Sequence, residues 1–134
     1  MDVEMESGYM LLFRGTEWDK DLSPAQIQET MTRWTDWFDG LMADGRAKSG
    51  QPLESTGVVL SGKNGATVSD GPFAEAKETV AGYFLLTVAT LEEAMAIGRQ
   101  CPALEHGMHV EVRPVRGMCP MMEKAEAYAA ENAG

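Results

Sequence analysis

Cysteine, positive charge and long apolar runs are all scarce in this sequence. Only two cysteines, Cys101 and Cys119, occur in 134 residues, which excludes a disulfide framework as the basis of the fold. No stretch approaches the roughly 20 apolar residues that a membrane span needs. The first six residues have neither the basic nor the apolar region of a secretion signal. These absences predict a cytoplasmic protein with reduced thiols and no membrane association.

Basic residues are outnumbered by acidic ones. Eleven Lys and Arg stand against 21 Asp and Glu, so the formal net charge is -10, and the pI is about 4.5. An acidic surface repels phosphate groups, which argues against direct binding of nucleic acid or of anionic lipid. No Walker loop, dinucleotide fingerprint, nucleophile elbow or paired CxxC is present. We therefore predict no cofactor.

Metal binding is also disfavoured. His106 and His109 are three residues apart, but Gly107 opposes a helix there and no third ligand is well placed. Cys101 comes at the end of a predicted helix, where the dipole disfavours a thiolate, so we interpret it as a small buried apolar residue.

What the sequence does contain is enough for one globular domain, since 44% of the residues are hydrophobic and 24% are charged. Ser23, Pro24 and Gln26 form a capping box that opens a helix, which Asp44-Gly45 ends. Its apolar stripe consists of Ile27, Met31, Trp34, Phe38, Leu41 and Met42. A second capping box at Thr90 predicts a helix through Arg99, with Leu91, Ala94, Met95 and Gly98 facing inward.

Strands are predicted from apolar runs and from alternation. Tyr9–Phe13 and Val80–Ala89 are apolar at successive positions, which is typical of strands buried on both faces. Residues 46–56 are polar and predict a loop, whereas Asn64-Gly65 between two β-branched runs predicts a hairpin. His109–Val115 alternates and predicts the last strand, and residues 121–132 predict a short terminal helix.

The resulting order, without one strand of the hairpin, is β-α-β-β-α-β, which is the ferredoxin-like arrangement of an α+β fold. Two helices cover one face of such a sheet, yet the inner strands are apolar on both faces. The second face therefore needs a partner, and a copy of the same chain is the simplest one. We expect a homodimer whose sheets pack face to face, and an interface above about 2,000 Å² would be typical of an obligate dimer.

A dense block of special residues, Asp70-Gly71-Pro72-Phe73 followed by Gly82-Tyr83-Phe84-Leu85-Leu86, closely resembles the DGPF group of the YCII-related domain family. The resemblance extends over roughly Tyr9 to Val115. It implies a dimeric α+β barrel of ferredoxin-like units, and it divides the chain into a flexible segment 1–7, a domain 8–117 and a helical tail 118–134. Some relatives are encoded beside or fused to extracytoplasmic-function sigma factors, which implies a regulatory role. Shorter members of the wider family are thought to use a His on the first helix, where this chain has Trp34 and Trp37 instead.

Seven residues are candidates for a ligand site. They are Arg14, Asp70, Phe73, Glu75, Lys77, Glu111 and Arg113. Asp70 either accepts backbone N–H groups in a structural turn or lines a cleft beside Glu75 and Lys77. Arg14 and Arg113 either belong to an internal ion-pair network with a carboxylate such as Glu111 or Asp70, or clamp an anionic ligand.

Two functions remain open at this point. One is a non-catalytic homodimeric module that binds a small molecule or a protein partner and serves regulation. The other is a small-molecule enzyme of the isomerase, lyase or hydrolase type, acting on a polar organic acid in a cleft near Asp70. Whether the chain catalyses a reaction is not decided by its sequence.

Overall fold

The computed structural model describes residues 7–15, 17–71, 79–117 and 119–133. Most of the predicted flexible segment 1–7 lies outside this part of the chain. The helices are α1 (Pro24–Ala43), α2 (Leu91–Gly98) and α3 (Pro120–Glu131). The strands are β1 (Gly8–Arg14), β2 (Ala47–Pro52), β3 (Gly57–Ser61), β4 (Thr67–Gly71), β5 (Val80–Leu86) and β6 (His109–Val115). Short 3₁₀ turns occupy Lys63–Gly65 and Leu104–His106.

Helix α1 begins and ends as predicted. The Ser23 hydroxyl accepts a hydrogen bond from the Gln26 N–H at 3.2 Å, and the Gln26 side chain accepts one from the Ser23 N–H at 2.8 Å. Asp44 caps the other end, and Gly45 follows with a φ of 73°. Helix α2 has Thr90 as its N-cap, whose hydroxyl accepts a hydrogen bond from the Glu93 N–H at 3.2 Å.

The main sheet has four antiparallel strands in the order β2-β5-β1-β6. Without the β3–β4 hairpin, the element order is β-α-β-β-α-β, so the chain has the α+β topology of a ferredoxin-like unit. The prediction of a loop over residues 46–56 was wrong, because β2 lies there and pairs with β5. Its sequence, Ala-Lys-Ser-Gly-Gln-Pro, has no β-branched or aromatic residue. An edge strand tolerates such a composition because only one side of it is hydrogen-bonded.

The predicted hairpin is present, but as a separate two-stranded sheet of β3 and β4. Asn64 and Gly65 have φ values of 60° and 64°, the positive values expected of an Asn-Gly turn. Counting one of its strands in the main sheet was wrong, since β2 takes that place. Its apolar side chains, among them Val58, Leu60 and Val68, are exposed.

The core lies between one face of the sheet and the helices α1 and α2. Leu11, Phe13, Phe84 and Leu86 point to this side from the two inner strands, and Leu41, Ala94 and Ile97 meet them from the helices. Three residues that were predicted to face inward are partly exposed instead: Met31 by 44%, Met42 by 42% and Leu91 by 43%. Met42 and Leu91 lie at helix ends, where the sheet no longer covers them.

The opposite face of the sheet, called the outer face below, is apolar at its centre. The strand register places Met10 beside Leu85 and Leu12 beside Tyr83 there, and all four side chains are partly exposed. Helix α3 does not cover this face, because its described side chains are all exposed. No helix in the described ranges has the length and the apolar character that crossing a membrane requires.

Candidate functional site

A pocket of about 440 Å³ lies between helix α1 and the β2-β5-β1 part of the sheet. The helix contributes one wall and the sheet another, and single residues from two connections close the ends. The lining residues are Phe13, Trp18, Met31, Trp34, Thr35, Phe38, Gly50, Gln51, Pro52, Ala81, Gly82, Phe84 and Met108. Its volume falls within the range of about 300–1,000 Å³ that is usual for small-molecule sites.

Five of the thirteen described lining residues are aromatic, and most of these rings contact one another. The Phe13 ring meets the Trp34 ring edge-on, with 4.8 Å between centroids, and meets Phe84 at the same distance. Phe38 packs on Phe84 at 4.6 Å with a tilt of 39°. Such offset and edge-to-face contacts stabilise aromatic clusters by about 0.5–1.5 kcal/mol per pair. The wall is therefore a preformed surface.

Two glycines on the sheet side of the pocket have no room for a side chain. A Cβ on Gly50 would lie 2.8 Å from Phe38 Cε1 and 2.8 Å from Phe84 Cδ1. A Cβ on Gly82 would lie 2.9 Å from the Gln51 carbonyl oxygen and 3.2 Å from Pro52 Cα. Because neither position has room for a Cβ, the two phenyl rings pack directly on the β2 backbone.

Two tryptophans support the wall, one from outside the lining and one within it. Trp37 does not line the pocket. Its indole N–H donates to Gln100 Oε1 at 3.1 Å, and its ring packs on Phe84 with 4.8 Å between centroids. Trp18, which does line the pocket, stacks on the His106 ring with 6.3 Å between ring centroids. His106 is thus partly buried against an aromatic residue, with its side chain 22% exposed.

The described lining holds no ionisable side chain. Its polar residues are Thr35 and Gln51, and its remaining side chains are apolar or aromatic. The described part of the wall offers hydrogen bonds and dispersion contacts to a ligand.

Three of the predicted site residues lie together on the outer face of the sheet, away from this pocket. Arg14 Nη1 contacts Glu111 Oε1 at 2.7 Å, and Arg113 Nε lies 3.7 Å from Glu111 Oε2. Arg14 is the last residue of β1 and pairs with His109, the first residue of β6. Glu111 and Arg113 lie further along β6. Glu111 thus contacts both arginines, and a clamp for an anionic ligand stays a prediction. The Arg113 side chain remains 67% exposed.

The other four predicted residues are not brought to that group by any described contact. Asp70 lies in β4, opposite Val58 of the free-standing hairpin. Phe73, Glu75 and Lys77 fall in the segment 72–78, outside the described residues. A cleft formed by Asp70, Glu75 and Lys77 therefore stays a prediction.

The cysteines occupy contrasting environments. Cys101 is buried, and this burial raises the pKa of its thiol from 9.0 to about 11, against the opposing effect of backbone hydrogen bonds from Ala103 and Leu104. Cys119 is exposed. The interpretation of Cys101 as a small buried apolar residue is confirmed. Across the described ranges, no three His, Cys, Asp or Glu side chains come close enough together to hold a metal ion.

Sequence reasoning missed the pocket because it took residues 46–56 for a loop. The available signal was Gly82, a glycine within the longest apolar run, together with Gly50 and Pro52 in the polar stretch. A glycine inside a strand often marks a place where another group approaches the backbone closely. Here the approaching groups are β2 and the ring of Phe38.

A ferredoxin-like α+β unit with an apolar pocket under its first helix is the class of protein that this geometry defines. The chain belongs to the YCII-related domain family, whose model matches residues 9–118. No curated protein matches the sequence. Among solved structures, the chain is similar to 5-chloro-2-hydroxyhydroquinone dehydrochlorinase from Burkholderia phenoliruptrix AC1100 in complex with 2,5-dihydroxybenzoquinone. The identity is 13% and the TM-score is 0.41, and the match covers 81% of this chain and 93% of that one.

Proposed function

We propose that this protein is a non-catalytic homodimeric module that binds a small molecule in the pocket beneath α1. The observation that carries the proposal is the composition of the wall: a preformed aromatic pocket of about 440 Å³ whose described lining has no ionisable group. Pockets of this kind bind through apolar contact and a few polar groups. Acid–base catalysis needs a titratable side chain within hydrogen-bond reach of the ligand, and none of the described lining residues provides one.

The pocket is tested with two fluorescent dyes, the neutral N-phenyl-1-naphthylamine and the anionic 8-anilino-1-naphthalenesulfonate. We expect at least one dye to bind with a stoichiometry of about one per chain. Met31→Trp fills the pocket from α1 and should abolish that binding. Met42→Trp is the matched control, because Met42 has the same exposure on the same helix, 42% against 44%, and does not line the pocket.

Binding that survives Met31→Trp unchanged would place the dye elsewhere, for example on the exposed apolar hairpin. No binding of either dye to the wild-type protein would contradict the proposal. Circular dichroism of both variants shows whether each retains the fold.

Homodimer formation is supported by the outer face of the sheet. Met10, Leu12, Tyr83 and Leu85 form an apolar centre there, and neither α1 nor α2 lies on that side. Apolar side chains that stay in contact with water cost roughly 25 cal/mol per Å² relative to burial. Two such faces packed together would bury both at once in an isologous interface. In this proposal the two sheets form the dimeric α+β barrel.

The dimer is tested by Leu85→Glu, which puts a charge at the centre of the outer face. Sedimentation equilibrium at micromolar concentration should show a dimer for the wild type and a monomer for the variant. Leu91→Glu is the control, since Leu91 is 43% exposed at the first position of α2, where a carboxylate is favourable. A monomeric wild type, or a Leu85→Glu variant that stays dimeric, would overturn this interface.

The alternative of an enzyme acting on a polar organic acid depends on Asp70 and Arg113. Asp70→Asn and Arg113→Ala should both reduce turnover of such a substrate if this alternative is correct. From the resemblance carried by the motif Asp70-Gly71-Pro72-Phe73 we further propose that the chain belongs to the DGPF group and acts in sigma-factor signalling. In that role the bound small molecule would be the signal, and a protein would be the partner.

A further inference from the structure

We propose that the pocket selects an uncharged aromatic molecule of two or three rings and rejects the anionic form of the same skeleton. This inference rests on the proposed function, because it names the class of ligand for the same pocket. It follows from three features of the described wall: its size, its aromatic rings and its lack of charge.

Size and aromatic character come from the two sides of the pocket. A volume of about 440 Å³ lies toward the lower end of the usual range, which suits a few linked rings better than a large cofactor. On the sheet side, Phe13 and Phe84 contribute rings to the lining. On the helix side, Trp34 and Phe38 present rings that are fixed by their contacts with Phe13 and Phe84. An aromatic ligand can pack on these rings by offset or edge-to-face contact.

The lack of charge comes from the lining and from its surroundings. No cation lines the described pocket, and Arg33 on the same helix is paired with Glu105 at 3.2 Å. The net charge of -10 gives the whole molecule a negative potential. Burying a carboxylate or sulfonate without a paired cation is costly. The described wall has no carboxylate for a cationic ligand either, so the uncharged form is favoured.

The test uses the charge difference between the two dyes. N-Phenyl-1-naphthylamine and 8-anilino-1-naphthalenesulfonate share one ring skeleton and differ by the sulfonate. We expect the wild-type protein to bind the neutral dye at least tenfold more tightly. Met31→Lys adds a cation to the wall and should shift the affinity ratio at least tenfold toward the sulfonate. Met42→Lys adds the same charge outside the pocket and should leave the ratio within twofold of wild type.

The outcomes separate this inference from the proposed function. If the sulfonate binds the wild type as tightly as the neutral dye, or if both lysine variants shift the ratio equally, the inference is overturned and the binding function stands. If neither dye binds the wild type, the inference and the proposed function are both contradicted. Should Met31→Lys fail to fold, Thr35→Lys at another exposed lining position of α1 makes the same measurement.

Discussion

Burial separates the two cysteine thiols chemically. Cys101 is 4% exposed, and desolvation raises its pKa to about 11, while Cys119 is exposed next to α3. A thiolate, not a thiol, is the nucleophile in thiol chemistry. The two side chains should therefore differ in reactivity at any pH where the protein is folded.

We expect an aromatic disulfide reagent at pH 8 to modify Cys119 within minutes and Cys101 only after addition of denaturant. The raised pKa also favours the folded state below about pH 9, and this contribution is lost as the pH rises from 9 toward 11, since the unfolded thiol ionises first. Denaturant titrations of a Cys119→Ser variant at pH 8 and pH 10.5 measure the loss in free energy of unfolding. A double variant that carries both Cys101→Ala and Cys119→Ser is the control, because it has no buried thiol. Equal pH dependence in both would show that Cys101 does not cause it.

Gly82 is a position where a single methyl group has a large cost. In Gly82→Ala the new Cβ would meet the Gln51 carbonyl oxygen at 2.9 Å, and backbone cannot move aside as a flexible side chain can. We expect the free energy of unfolding to fall by about 1–3 kcal/mol. The control is Gly40→Ala in α1, where nothing lies within 4 Å of the added Cβ. That substitution should stabilise the protein by up to about 1 kcal/mol, because alanine favours a helix. If Gly82→Ala left the free energy of unfolding unchanged, β2 would not be packed tightly against β5 at this position.

The stability of helix α1 depends on a local sequence signal, the capping box at its N-terminus. Its capping box satisfies two backbone N–H groups that no other residue of the helix can satisfy. Ser23→Ala should lower the free energy of unfolding by about 1 kcal/mol. Ser23→Asp should stay within a few tenths of wild type, because aspartate caps as well as serine. Urea denaturation followed by circular dichroism measures both, and equal stability of all three proteins would contradict the role of the cap.

The elements with strong local signals were predictable, and those shaped by tertiary contact were not. The capping residues define α1, the apolar runs define β1 and β5, and Asn64-Gly65 defines the hairpin turn. Strand β2 could not be predicted, because its polar sequence is held in place by pairing with β5. For the same reason the pocket was missed, since the close packing of β2, β5 and α1 creates it. The ion pair of Arg14 and Glu111 joins residues 97 positions apart, and only the strand register brings them together.

At the scale of the whole molecule, the negative net charge of the chain opposes the proposed dimer. Two chains of net charge -10 repel each other, so the apolar attraction between their outer faces has to exceed this repulsion. Raising the salt concentration screens the repulsion without weakening apolar contact. We therefore expect the dimer dissociation constant to fall between 20 mM and 500 mM sodium chloride, as measured by sedimentation equilibrium. A dissociation constant that rises with salt would indicate an interface made by ion pairs, such as those of Arg113.

The two walls of the pocket differ in how well they tolerate substitution. Phe13 and Phe84 belong both to the lining and to the hydrophobic core, so replacing either one unsettles the fold itself. Met31 and Thr35 line the same space from an exposed helix surface, where substitutions are tolerated. Ligand preference can thus be altered at a few positions on one helix, while Phe13 and Phe84 have to be kept for the fold.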